Sequence, residues 1–278
     1  MFLRYEAALD GKNFSDIAPE VLLRDIVEQP ADVDSQANPR AGLYGQSVPT
    51  RKRLALSVRL VYRIREYDSR KRAELRDKVA EWANGANRGG WLTINTRPGM
   101  QLQVVCDTPP NLDSSLKWTQ DLTLTLTAYA IPFWQEAGDG QTVNFDTVWA
   151  EDVGMYRWSN VIRPKGNAGK VPVTCFAYNM DDKPLTHLKI MVDDTMMEFK
   201  GMNIAGGGIF GGWFSLDYTD EDILQIKNVR DDNDPSLLQY RTAESDDDLL
   251  ARCKADNQIH VYSDATLNIT FYVRGRWL

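Results

Sequence analysis

A chain of 278 residues, 43% hydrophobic and 26% charged, is long enough for two ordinary domains, each with its own core. Its eight tryptophans, eleven tyrosines and nine phenylalanines exclude a disordered polymer, and no stretch approaches the ~20 apolar residues of a membrane span. The net charge of −7 is uneven: residues 1–136 hold 18 basic against 17 acidic side chains and the remainder 14 against 22, and so acidic a chain is a poor generic binder of nucleic acid.

The start, Met1-Phe2-Leu3-Arg4-Tyr5-Glu6, has no apolar core of a signal peptide. Residues 2–9 read as a strand turning at Asp10-Gly11. After the short apolar run Val21-Leu22-Leu23, residues 29–50 are polar and broken by Pro30, Pro39, Gly42, Gly45 and Pro49, which predicts a long exposed loop or arm. Residues 51–65 then alternate with a period of two. Leu54, Leu56, Val58, Leu60, Tyr62 and Ile64 fall on one face and Arg53, Ser57, Arg59, Arg63 and Arg65 on the other, the pattern of one long half-buried strand. Asp68 or Ser69 caps a helix of about four turns, with Leu75, Val79 and Trp82 in one stripe and Gly85 as its stop. Trp91–Ile94 and Leu102–Val105 form a hairpin about Arg97-Pro98-Gly99-Met100, and residues 121–130 alternate with Leu122, Leu124 and Leu126 inside and Thr123, Thr125 and Thr127 outside.

Gly138-Asp139-Gly140 reads as a hinge. Beyond it come short apolar runs at sandwich-like spacing: 143–149, 171–178, 186–192, 196–199, 213–217, 223–227, 258–262 and 267–273. Residues 246–253 suit a short turn of helix. The fold class is therefore mainly β: an N-terminal β-barrel or sandwich domain with one packed helix, over residues 1–137, followed by a β-sandwich over residues 138–278.

Catalytic and cofactor motifs are missing from this sequence. His187 and His260 sit in or beside strands, with no G-x-S-x-G context for a nucleophile. The Gly206–Gly208 and Gly211-Gly212 cluster lacks the Gly-Lys-Ser/Thr ending of a phosphate loop, and reads as a flexible hairpin or an exposed contact element. Asp231-Asp232-Asn233-Asp234 lacks the glycine and glutamate of a calcium loop, with Ser236 and Thr242 at those places, and Glu244 with Asp246–Asp248 reads as an exposed turn. Cys106, Cys175 and Cys253 are odd in number and widely spaced, as reduced, buried small hydrophobes are. No enzyme, cofactor or metal site is expected. The arginine row is a solvated face, a self-assembly face or a nucleic-acid face. As an assembly face it comprises Arg51, Arg53, Arg59, Arg63 and Arg65.

The order of these pieces carries a resemblance. A hairpin, a polar arm and a strand after Arg51-Lys52-Arg53 precede a helix ending in Glu81-Trp82-Ala83. A Trp91-Leu92 strand, a Pro-Gly hairpin and a strand ending in Pro132-Phe133-Trp134 follow. This order resembles the N-terminal domain of distal tail proteins of long, non-contractile-tailed phages. Ser245–Leu250, Asp256–Ile259 and the closing Arg274-Gly275-Arg276-Trp277-Leu278 are similar to the C-terminal galectin-like sandwich of that family; residues 137–170 match least. The resemblance implies a non-enzymatic hexameric hub ring joining the tail tube to the host-adsorption baseplate. Implied partners are the tail tube protein, the tape-measure protein and the tail-associated or receptor-binding proteins, with DNA only passing through the channel. Implied too are a place in the virion tail tip and assembly in the host cytoplasm. The alternative is a carbohydrate-binding-module-like sandwich that grips a host cell-wall saccharide through Trp149, Trp158 or Trp213.

Overall fold

The computed structural model describes residues 4–17, 20–39, 46–84, 86, 89–108, 119–218, 223–229 and 235–278. The chain divides into two compact units, Met1–Gln135 with Leu278, and Glu136–Trp277. In chain order the first unit contains β1 Ala7–Leu9, β2 Lys12–Asn13, β3 Val21–Gln29, β4 Val33–Pro39, β5 Gln46–Arg53, β6 Leu56–Arg65, α1 Ser69–Asn84, β7 Gly90–Ile94, β8 Met100–Thr108 and β9 Thr119–Ala128; β10 Trp134–Glu136 follows. The second contains β11 Gln141–Asp146, β12 Val148–Ala150, β13 Met155–Ile162, β14 Lys170–Pro172, β15 Thr174–Asn179, β16 Leu185–Val192 and β17 Thr195–Ile204. It continues with β18 Trp213–Tyr218, β19 Leu224–Val229, β20 Leu250–Arg252, β21 Asn257–Ser263, β22 Leu267–Val273 and β23 Arg276–Trp277. The protein is mainly β with one α-helix.

The first unit is an antiparallel sheet in the order β2-β1-β7-β8-β9-β6-β3. The β1–β2 turn is the expected one, with Asp10 and Gly11 at φ 49° and 77°. In β6 the alternation is complete: Leu56, Val58, Leu60, Tyr62 and Ile64 are all buried, opposite Leu122, Leu124 and Leu126 of β9. Thr127, expected outside, is also buried, with its Oγ1 3.4 Å from Ser57 Oγ. Asp68 Oδ1 caps α1 by accepting from Arg70 N at 2.8 Å. Leu75, Val79 and Trp82 are the buried helix stripe, and Trp82 meets Phe14 edge-on at 5.2 Å, which in turn lies 5.7 Å from Tyr62. Gly85 lies outside the described residues.

Two expectations for this unit are corrected. The stretch 51–65 is not one strand: it breaks at Leu54-Ala55, where Leu54 N bonds to Asp32 O at 2.8 Å and the Leu54 side chain is 47% exposed. Nor is 29–50 a structureless loop. β3 runs to Gln29, and β4 pairs with β5 as a separate two-stranded hairpin, from Val33↔Arg53 to Pro39↔Gln46. Its prolines obey sheet rules: Pro39 ends a strand, and Pro49 lies where the register shifts between Gln36 and Asn38. Residues 40–45 lie outside the described set.

The second unit is a sandwich of two five-stranded sheets, β11-β22-β15-β18-β19 and β12-β13-β21-β16-β17, with a small β14–β20 ribbon. Its core draws on both sheets, with Phe199 of β17 and Phe214 of β18 tilted together at 5.2 Å. Residues 246–253 are not helical: they turn and then enter β20, where Ala251 is buried opposite Val171. In Gly138-Asp139-Gly140 the second glycine is packed, since a Cβ on Gly140 would run into the carbonyl oxygen of Val273, while Gly138 lies in open space. The Gly206–Gly212 segment is no hairpin. It crosses from β17 in one sheet to β18 in the other through a 3-10 turn, Gly208–Phe210, and Gly206 lies so close to the Asp181 carbonyl that no side chain fits there. The three cysteines form no disulfide; Cys175 is buried, while Cys106 and Cys253 are half-buried, against the expectation that all three are core.

Candidate functional site

Because β6 buries one face completely, its other face is forced outward, and it carries a basic row. Arg59 and Arg65 are exposed there. Arg63 makes a two-pronged pair with Asp121 of β9, both contacts at 2.6 Å, and Arg24 of β3 reaches the same carboxylate at 2.9 Å. The hydrogen bonds from Arg63 hold the Asp121 carboxyl below the usual carboxylate range; desolvation opposes them, and the charges of Arg63 and Arg24 add to them. Arg53 ends β5, with its guanidinium 5.9 Å from the centroid of the Phe133 ring. Arg51 lies in β5 opposite Ser35. The five arginines thus belong to two strands of different sheets, and Arg63 has an acidic partner within its own unit. Sequence pattern did not give the Arg24–Asp121–Arg63 cluster, because it assembles across three strands.

The three tryptophans do not converge. Trp149 of β12, 53% exposed, stands opposite Tyr156 of β13, ring edge to face at 5.3 Å. Trp158 of β13 is stacked on Phe145, 1° from parallel, and packs against the core. Trp213 of β18 pairs with Tyr178 of β15 at 4.5 Å. The histidines are engaged on β-strands. His187 Nε2 lies 2.8 Å from Glu198 Oε1, and Lys200 Nζ 3.1 Å from the same atom. Burial works to raise the Glu198 carboxyl, but the hydrogen bonds from His187 and Lys200 outweigh it and hold it low. His260 Nδ1 lies 2.7 Å from Ser159 Oγ, across a β13–β21 pair. Among the described residues no group of three or more His, Cys, Asp or Glu side chains is arranged to hold a metal ion. Asp231–Asp234 lie outside the described residues. A cleft of 390 Å³ between the β1–β2 turn, the 3-10 turn at Phe14–Asp16 and α1 is lined by mixed charges, and its one tryptophan, Trp82, already donates to Lys12 O at 2.8 Å.

No family model matches the chain and no curated protein matches it. Solved structures do. The SPP1 Dit protein, described as a paradigm of the hub adsorption apparatus in phages infecting Gram-positive bacteria, is 12% identical. It aligns over 97% of this chain and 98% of its own, with a TM-score of 0.63. The chain has the Dit fold. A chain of the phage P2 baseplate in its activated conformation with Ca is 10% identical over 99% of this chain and 98% of that one, at a TM-score of 0.50. The corresponding baseplate with Sr gives 10%, 98% and 97%, at 0.51. The Dit likeness therefore spans both units, and it is carried by backbone architecture rather than by shared side chains.

Proposed function

We propose that this protein is a structural component of a phage tail, a Dit-like hub whose first units close into a six-membered ring between the tail tube and the adsorption apparatus. The observation that carries the reading is the near-full-length likeness to SPP1 Dit. Two features of the first unit support it. A ring needs heterologous contacts that close, and the β4–β5 hairpin departs from the main sheet as a ribbon of backbone able to pair with a neighbouring copy. Exposed Arg59 and Arg65 of β6 offer a basic surface to an acidic one on the next subunit. The partners are then the tail tube, the tape-measure protein and the receptor-binding proteins, with DNA passing through the channel. Its place is the virion tail tip, reached by assembly in the host cytoplasm, and its role is assembly without catalysis.

Native mass spectrometry of the purified full chain, followed by negative-stain imaging, tests this. A six-fold ring with a central channel is expected, either from the protein alone or once tail tube protein is added. A monomer under both conditions overturns the reading.

A further inference from the structure

The outer face of the β11-β22-β15-β18-β19 sheet carries two aromatic pairs. On β15 the side chains alternate: Cys175 and Ala177 are buried, while Phe176 and Tyr178 are turned outward and half-buried. Register brings aromatic partners to both. Trp213 stands directly opposite Tyr178, and the rings meet at 4.5 Å and 65°. Tyr272 of β22 meets Phe176 at 5.7 Å and 74°. Four rings on three adjacent strands thus span about 10 Å across the sheet, at ~4.8 Å per strand.

Their neighbours on the same face are amides, hydroxyls and carboxylates. On one side Asn144 of exposed β11 donates to Thr270 Oγ1 at 2.5 Å and lies 3.3 Å from Asn268 Oδ1. Asn268 Nδ2 in turn donates to Asp146 Oδ1 at 2.8 Å. On the other side Thr174 Oγ1 donates to Asp217 Oδ1 at 3.2 Å. These polar atoms are held in place by one another before any ligand arrives, which lowers the ordering cost of binding. An aliphatic docking surface for a protein would be composed differently; among the described residues the one branched aliphatic in register with the rings is Val229, opposite Trp213 on the edge strand.

We propose that this face binds a neutral saccharide chain. The rings offer apolar platforms for the C–H faces of sugar rings, and Asn144, Asn268 and Asp217 offer donors and acceptors for the hydroxyls between them. Among the described residues paired on this face, the carboxylates of Asp146 and Asp217 outnumber the ammonium of Lys227, opposite Ser215, which disfavours a polyanionic polymer. Of the three tryptophans picked out by sequence, Trp213 alone belongs to this face. The inference does not depend on the hub reading, since the face lies entirely within the second unit.

An array of neutral bacterial-surface oligosaccharides, with poly(glycerol phosphate) as the anionic comparison, tests the proposal on the full chain. The wild-type protein is expected to retain at least one neutral glycan. Trp213→Ala and Asn144→Ala should each weaken that binding about tenfold, and Trp149→Ala should leave it unchanged. If Trp213→Ala fails to fold by circular dichroism, Asn144→Ala on the exposed edge strand decides alone. Retention of no neutral glycan, retention of poly(glycerol phosphate) only, or binding indifferent to Asn144→Ala overturns the proposal.

Discussion

Trp134 Nε1 donates a hydrogen bond to Glu28 Oε2 at 3.0 Å, and Trp134 is wholly buried. Arg97 Nε approaches the same oxygen at 2.7 Å while its guanidinium lies 5.3 Å from the indole centroid. One carboxylate oxygen thereby ties the end of β3, the 97–100 turn and the closing aromatic segment together. Trp134→Phe keeps most of the apolar area and removes the donor, so a loss of about 1.5–3 kcal/mol is expected for a hydrogen bond to a charged acceptor. Trp134→Ala should cost about 3–5 kcal/mol. Urea unfolding of the first unit measures both, and equal losses for the two variants would show that the hydrogen bond, not the packing, dominates.

Asn257 is the second unit's counterpart. It is fully buried; its Nδ2 donates to the carbonyls of Ile162, Arg252 and Ala255, and its Oδ1 accepts from Arg252 N at 2.6 Å. Asn257→Ala leaves those buried backbone groups unpaired. A loss of about 2–4 kcal/mol is expected in denaturant unfolding, with Asn257→Asp no milder because a carboxylate has no donor for the three carbonyls.

Glu198 sets a pH dependence. Its carboxyl is held below the ordinary value near 4.5, so the folded state favours its charged form. A depressed carboxylate contributes stability above its unfolded pKa and loses it as pH falls through the folded one. Glu198→Gln should therefore lower the melting temperature near pH 7, and its gap from wild type should shrink below about pH 4. A gap that grows in acid would reverse the assigned sign.

Gly206 is required for space and not for backbone freedom. Any Cβ there meets the Asp181 carbonyl oxygen, which already accepts from Gly207 N at 3.0 Å. Gly206→Ala should destabilise the second unit by more than about 2 kcal/mol. Gly154→Ala, with open space but φ +64°, should cost only about 1–2 kcal/mol. Parallel melts of the two variants check the ranking.

The β4–β5 hairpin can be removed cleanly. Ala31 is buried and Leu54 N bonds to Asp32, so the cut belongs above those residues, at Val33↔Arg53. Replacing residues 34–52 with Asn-Gly should leave the melting temperature of the first unit within a few degrees of wild type and abolish ring formation. Sedimentation velocity reads the outcome, and rings formed without the hairpin would assign closure to the β6 face instead.

Where burial is one-sided, the sequence was legible. β6, β9 and α1 follow their apolar periods because each packs a single face on the core. β13 is illegible for the opposite reason: Met155–Ile162 is half-buried or exposed at every position but the last, so no period of two stands out. β20 is three residues long and exists because β14 pairs with it and Asn257 holds its end. The break at Leu54-Ala55 depends on a carbonyl 22 residues away, invisible to alternation. The candidate sugar face was half visible. Trp213 stands out in the sequence as a large aromatic, but Tyr178, Phe176 and Tyr272 join it only through the pairing of β15 with β18 and β22.

Strand order in the second unit has a consequence for how the protein is made. β22 lies between β11 and β15, and β21 between β13 and β16, yet both are synthesised after every strand they join. Gln141 waits for Val273, a delay on the order of ten seconds at ribosomal speed. Until then each sheet exists as two fragments with exposed hydrogen-bonding edges, open to pairing with other nascent chains. In the first unit the path β2-β1-β7-β8-β9-β6-β3 needs no strand made after β9. Premature termination before residue 257 should thus give a folded first unit carrying an aggregation-prone tail, and slow translation through 141–256 should be the step that most needs a chaperone.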